Sequence, residues 1–203
     1  MYKKINRVIK NPKKIFYWLR YHINKNHVQL ITVEDKSFYK YHGKLYPDYL
    51  NNGNAVSFIK EKALTYCIGK GIDIGADRWP LPGAVSIQNE VHQNANKLDR
   101  FENDSLDYVF SSHCLEHVDD WKGALVLWIS KLKVGGILFL YLPHKSNKLW
   151  RPGGPWVGMG HKWSPTYQRI IKFISSKGME IVEYNNGRDM YWSFHVVARK
   201  KNN

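Results

Sequence analysis

The apolar positions change period along the chain. In residues 1–33, Ile5, Val8, Ile9, Ile15, Phe16, Trp18 and Leu19 recur at roughly helical spacing among basic residues, which predicts an amphipathic helix. A linker around Thr32 to Lys44 follows, then Pro47, the Asn51-Asn52-Gly53 turn and a helix from about Ala55 to Tyr66. From Gly69 short apolar runs alternate with helical patterns. Strands are predicted over Gly71–Ile74, Ala84–Ile87 and Leu106–Phe110, a helix over Lys122–Leu132, and a buried strand over Gly136–Leu142 after the Gly135-Gly136 turn. A loop rich in Pro, Gly and Trp runs from Pro143 to Ser164. A helix over Pro165–Lys177 begins with Ser164 as its N-cap, and strands over Glu180–Tyr184 and Phe194–Arg199 close the chain. This alternation predicts an α/β domain over residues 67–203, a doubly wound, mainly parallel sheet with an antiparallel last strand, preceded by a basic helical extension over residues 1–66.

Composition agrees with a folded chain: 203 residues, 43% hydrophobic and 14% aromatic, allow one domain with a full core. No uncharged apolar run reaches the ~18 residues of a membrane span, so the expectation is a soluble, cytoplasmic protein. Cys67 and Cys114 lack the number and spacing of a disulfide framework or zinc site and read as small buried hydrophobes; no metal is expected. The net charge of +14 points to anionic partners. The first 33 residues hold eight Lys or Arg and no Asp or Glu, without the apolar core and cleavage site of a signal peptide. Three readings of that segment stand: a helix packed on the domain with a solvated basic face, peripheral contact with an anionic membrane at its inner face, or nucleic-acid binding, the last disfavoured.

In open α/β sheets ligands bind outside the carboxyl ends of the strands. There the segment Gly71-Ile-Asp-Ile-Gly-Ala76 places an acid, Asp73, inside the first strand and Gly75 at its end. The dinucleotide fingerprint is absent, because Ala76 and Asp77 stand where further glycines would be, and Asp77 would repel a pyrophosphate. A cofactor without phosphates is favoured over NAD. The strand formers Leu106–Phe110 run into Ser111-Ser112-His113 and then Leu115-Glu116-His117, a polar cluster that a core strand does not need.

These segments, with the run from Ala124 to Pro143, together resemble successive motifs of the class I S-adenosylmethionine-dependent methyltransferases, in the type 11-like group that includes enzymes of bacterial capsule and O-antigen pathways. The resemblance covers about Lys70 to Arg199 and implies a Rossmann-like, seven-stranded sheet, S-adenosyl-L-methionine as methyl donor and S-adenosyl-L-homocysteine as product. It implies that Asp73, Gly75 and Ala76 hold the amino acid end of the cofactor. Gln88 stands where an acid usually bonds the ribose, with Glu90 nearby, and Asn94 to Leu98 border the adenine, Asn94 again in place of a common acid. Ser112 and His113 lie beneath the methionine portion. Glu116 and His117 begin the next helix in this reading.

Methyl transfer is an in-line displacement that depends chiefly on alignment, and a hydroxyl acceptor also profits from a general base. His144, after the fifth strand, and His161 are the candidate bases. Trp150, Arg151, Trp156 and Trp163, with Lys145, Lys148 and Lys162, are candidate acceptor-binding residues, cations for a phosphate or carboxylate and rings for a sugar or base. The expected activity is O-methylation of an anionic, sugar- or nucleotide-linked acceptor such as a surface-polysaccharide precursor, including phosphate or phosphoramidate decorations. Two alternatives are a nucleic-acid-binding methyltransferase and a catalytically inactive partner subunit of the same fold.

Overall fold

The computed structural model describes residues 12–87 and 98–202. The chain divides into two compact units, residues 1–53 with 147–164, and residues 54–146 with 165–203. In the second unit, α2 (Val56–Tyr66) precedes β4 (Gly71–Ile74), β5 (Val85–Ile87), β6 (Leu106–Ser112), α3 (Trp121–Lys131), β7 (Leu132–Pro143), α4 (Tyr167–Ser175), β8 (Met179–Tyr184) and β9 (Ser193–Lys200). The strand order is β5-β4-β6-β7-β9-β8. The first four strands are mutually parallel, while β9 pairs antiparallel with both β7 and β8. Among the described residues the sheet has six strands, and the expected seventh is not among them. It is the mixed α/β, mostly parallel sheet of a Rossmann-like fold.

The central strands are nearly continuous apolar runs because both faces are covered. Val109, Phe110, Leu138, Phe139 and Leu140 are fully buried. Helix α3 packs on β6 and β7, α2 on β7, and α4 on β8 and β9, where its Ile170 and Ile174, four apart, are buried. Asp120 caps α3 by accepting from the Gly123 amide at 3.0 Å. The cap of α4 is Thr166, whose hydroxyl accepts from the Arg169 amide, rather than the expected Ser164. The pairing of β6 runs two residues past Phe110, with Ser111 and Ser112 opposite Leu140 and Tyr141, so polar residues continue the strand to its edge.

In the first unit a small sheet replaces the linker expected in the extension. Helix α1 (Pro12–Asn24) is followed by an antiparallel sheet of β1 (Gln29–Val33), β2 (Lys36–Tyr41) and β3 (Lys44–Pro47), in place of the expected linker. Both hairpins have two central residues at positive φ, Glu34 and Asp35 at 48° and 59°, then His42 and Gly43 at 47° and 73°. These are type I′ turns, whose twist matches that of the strands they join. The Pro- and Trp-rich segment 147–164 belongs to this unit. Gly153 presses on α1 so closely that a Cβ there would lie 2.5 Å from the Tyr17 carbonyl oxygen, Arg20 donates to the Pro152 carbonyl at 3.0 Å, and Trp156 meets Tyr39 edge to face. No described helix is long and apolar enough to cross a membrane.

Candidate active site

The carboxyl ends of β4, β6 and β7 carry the polar groups. Because β9 is antiparallel, with Ser193 opposite Pro143, its first residues arrive at the same edge. Asp73, in β4, is almost wholly buried; its Oδ2 accepts from the Leu81 amide at 2.8 Å, and burial, only partly offset by that bond, pushes its carboxyl up to about 7. Gly75 (φ +85°) donates its amide to the Ile87 carbonyl at 2.8 Å. A Cβ at Gly75 would lie 2.5 Å from the Cys114 Cβ, so the turn admits glycine for both reasons. Ala76 is buried beside it.

The ten residues from Gly75 to Ala84 that join β4 to parallel β5 form turns, with no helix. Such crossovers usually contain a helix whose N-terminus can hold a phosphate. This loop has no helix N-terminus to offer and is pinned by Asp73 through Leu81 instead.

Ser111 Oγ donates to the Ile74 carbonyl at 2.9 Å, tying β6 to the end of β4. His113 follows with φ +48°, a conformation that L-residues rarely adopt, held by its amide bond to the Tyr141 carbonyl (2.8 Å) and by Nε2 against Ser193 Oγ (2.7 Å). Burial, then the nearby His117, holds its imidazole down to about 3, so it is neutral at pH 7. Glu116 and His117 lie in a 3-10 turn, Leu115–His117, and not in the first turn of α3. Glu116 is fully buried, its carboxyl pushed up to about 8 by burial, 3.8 Å from His113 Nδ1. It is therefore largely protonated at pH 7, and a helix-dipole role does not apply.

A further chain of polar groups joins the same edge. Tyr141 OH donates to Asp189, which also accepts from the Ser193 amide (2.9 Å). Burial, followed by the Asp189 charge, raises the phenol. Nothing in the sequence singles out Tyr141, Asp189 or Ser193, which are far apart in the chain and meet because β9 returns beside β7.

Beyond β7, His144 lines a cavity of about 220 Å³ with Lys145, Thr166, Tyr167, Gln168 and Asn186. Its Nδ1 accepts from the Ser146 amide at 3.2 Å and lies 2.8 Å from Ser146 Oγ. A backbone N–H can only donate, so in the neutral ring the proton sits on Nε2, which becomes a donor. Burial first, then Lys145 and Arg188, lowers its basicity.

Of the other expected residues, Leu98 is buried, while Gln88 and Asn94 lie outside the described residues. Trp150, Arg151, Trp156, His161 and Trp163 belong to the first unit, where Trp150 and His161 are buried and Trp150 packs against Trp156.

A family model described as a methyltransferase domain matches residues 65–140. The match spans β4, β5, β6, α3 and most of β7, the elements that build the edge described above. The chain's fold is similar to that of an S-adenosylmethionine-dependent methyltransferase from Mesorhizobium loti, with a TM-score of 0.54 and 14% identity over 74% of this chain and 100% of that one. It is similar to a Thermotoga maritima S-adenosylmethionine-dependent methyltransferase at TM-score 0.52 and 14% identity, over 75% and 92% of the two chains. It is similar as well to a chain of the complex between the Haloferax volcanii Trm112 methyltransferase activator and a methyltransferase, at TM-score 0.53 and 14% identity, over 76% and 95%. No curated protein matches.

S-adenosylmethionine is the cofactor that the family match supports. The residues at the carboxyl edge of the sheet fit it. Asp73 Oδ1 and Ser112 Oγ are buried and have no hydrogen-bond partner among the described residues, an acceptor for an ammonium and a donor for a carboxylate. The loop after β4 has no helix terminus to hold a phosphate, and S-adenosylmethionine has no phosphate.

Proposed function

We propose that the chain is an S-adenosylmethionine-dependent O-methyltransferase whose acceptor is a small anionic molecule. The observation that carries this reading is the pair of unsatisfied buried atoms, Asp73 Oδ1 and Ser112 Oγ, at the carboxyl edge of a methyltransferase-domain sheet. When bound, S-adenosylmethionine supplies an electrophilic methyl group on a sulfonium. Asp73 accepts from the cofactor's ammonium, and Gly75 lets the β4 backbone turn without a side chain. Ser111 and strained His113 hold the β6 edge in place, so that the loop does not have to order on binding.

The cavity beside β7 supports the anionic acceptor. None of its lining residues is acidic, while Lys145 brings a cation and His144 an Nε2–H donor. His144 therefore orients the acceptor by donating to it, in the protonation state found here. At about 220 Å³ the cavity suits one sugar ring or one phosphate or carboxylate group rather than a whole dinucleotide. The finer assignment, methylation of a surface-polysaccharide precursor or of a phosphate or phosphoramidate group on one, rests on that charge and on the resemblance of the segment Ser111 to His117.

A second reading is a partner subunit of the same fold that no longer catalyses. It is favoured by Gln88 and Asn94 standing where acids are common, and the Haloferax volcanii protein was solved as a complex with an activator. Incubation with methyl-labelled S-adenosylmethionine and a panel of nucleotide-linked and free sugars, with and without carboxylate or phosphate groups, tests the two. Label on an anionic member supports the enzyme; label on none, from protein that binds S-adenosylhomocysteine, supports the subunit.

A further inference from the structure

Helix α1 has no buried residue, although it carries a strongly apolar side. At 100° per residue, Phe16, Leu19 and Ile23 fall within about 60° of one another. They are 54%, 46% and 64% exposed. The side of the helix that packs lies roughly opposite. Tyr17 meets Gly153 through its backbone, and Tyr21 lies against Gly158, where a Cβ would be 3.5 Å from its ring. The apolar stripe therefore faces away from the unit's own contacts.

One flank of the stripe is cationic. Lys13 and Arg20 project on one side, and with Phe16, Tyr17, Pro152 and Ser164 they line an open groove of about 480 Å³ along the helix. Arg20 is fixed there, its guanidinium 4.4 Å over the Phe16 ring and bonded to the Pro152 carbonyl. Arg151 is close enough for its charge to act on Arg20. The described residues of this unit contain ten Lys or Arg against three Asp or Glu, an excess of seven positive charges. The sequence continues the same pattern upstream, with Ile5, Val8 and Ile9 set among Lys3, Lys4, Arg7 and Lys10.

We propose that α1 and its groove dock on an anionic phospholipid membrane, the stripe Phe16, Leu19 and Ile23 entering the interface while Lys13 and Arg20 meet lipid phosphates. An exposed apolar stripe combined with flanking cations is what distinguishes a membrane-surface helix from a merely solvated basic one. A nucleic acid would use the cations and leave the stripe in water, so the stripe decides for lipid. The proposal is independent of catalysis.

The test is sedimentation of the full chain with vesicles of phosphatidylcholine alone and of phosphatidylcholine with one-quarter phosphatidylglycerol, beside the double variant Leu19→Glu/Ile23→Glu. Both residues are already solvent-facing, so the variant keeps its fold; an unchanged thermal midpoint verifies this. Leu30→Glu, at a 63% exposed site in β1, serves as the control for added negative charge. The expected result is binding to the anionic vesicles at least tenfold stronger than to neutral ones, lost at least tenfold in the double variant and retained in Leu30→Glu. Absence of binding to anionic vesicles overturns the proposal, as does equal binding by the double variant. Binding of polyuridylate in place of vesicles, unaffected by the double substitution, overturns it in favour of nucleic acid.

Discussion

Asp73 offers the sharpest quantitative test, because an ionised carboxylate in its position destabilises the protein while, in the proposed reading, serving the ligand. Its carboxyl is raised from 3.8 to about 7 by burial. The folded chain therefore holds the proton more tightly than the unfolded chain between pH ~4 and ~7, and stability falls as pH rises through that window. The penalty reaches about 4 kcal/mol at pH 8 and is about 1.7 kcal/mol at pH 5. Asp73→Asn removes it while keeping an acceptor for the Leu81 amide. The substitution also leaves a buried N–H where Oδ1 stood, at about 1–3 kcal/mol independent of pH. The pH-dependent part is then the clean quantity. The advantage of Asp73→Asn over the parent should grow by about 2.5 kcal/mol from pH 5 to pH 8, or roughly 5–10 °C in thermal midpoint for a chain of this size. Differential scanning fluorimetry of both proteins at the two pH values reads it. S-adenosylhomocysteine should raise the midpoint of the parent and not of the variant. A difference between variant and parent that is the same at both pH values would refute the argument that Asp73 is a desolvated acid.

Gly75→Ala should lower the thermal midpoint by roughly 5–15 °C, since positive φ and a 2.5 Å approach to Cys114 together cost about 2–4 kcal/mol; an unchanged midpoint rejects that packing. Tyr141→Phe removes the phenol donor to Asp189 and should destabilise by about 1–3 kcal/mol in urea titration, with Ser193→Ala less than additive to it because the Ser193 side chain bonds the Tyr141 phenol. Lys145→Ala should raise KM for an anionic acceptor about tenfold, leave kcat nearly unchanged and spare neutral acceptors, as loss of a charge that binds ground state and transition state alike. An equal effect on neutral acceptors counts against the anionic reading.

The core strands are legible because burial on both faces turns them into unbroken apolar runs: β4 and the apolar stretches of β6 and β7 lie where the pattern puts them, but β7 begins at Leu132, so the expected Gly135-Gly136 turn lies inside the strand. The end of β6 differs by two residues because Ser111 and Ser112 read as a loop; their side chains are polar, yet they continue the ladder beside Leu140 and Tyr141. The small sheet β1–β3 escapes a reading of the sequence because its turns use Glu34-Asp35 and His42-Gly43 rather than the Asn-Gly or Asp-Gly that announces a type I′ hairpin. In the site, Asp73 and Gly75 are visible because a strand-embedded acid and a terminal glycine are unusual together. The Tyr141–Asp189–Ser193–His113 chain is not, since it depends on the antiparallel return of β9, which no local pattern encodes. The tautomer of His144 likewise follows from one backbone amide two residues away.

The most direct measurement is calorimetric titration of the full chain with S-adenosylhomocysteine, with NAD as the control. Saturable micromolar binding of S-adenosylhomocysteine alone, weakening as pH falls below 7 as Asp73 takes up its proton, is the expected result. Protein shown to be folded that gives no heat with millimolar S-adenosylhomocysteine, or that binds NAD as well, would contradict the cofactor site.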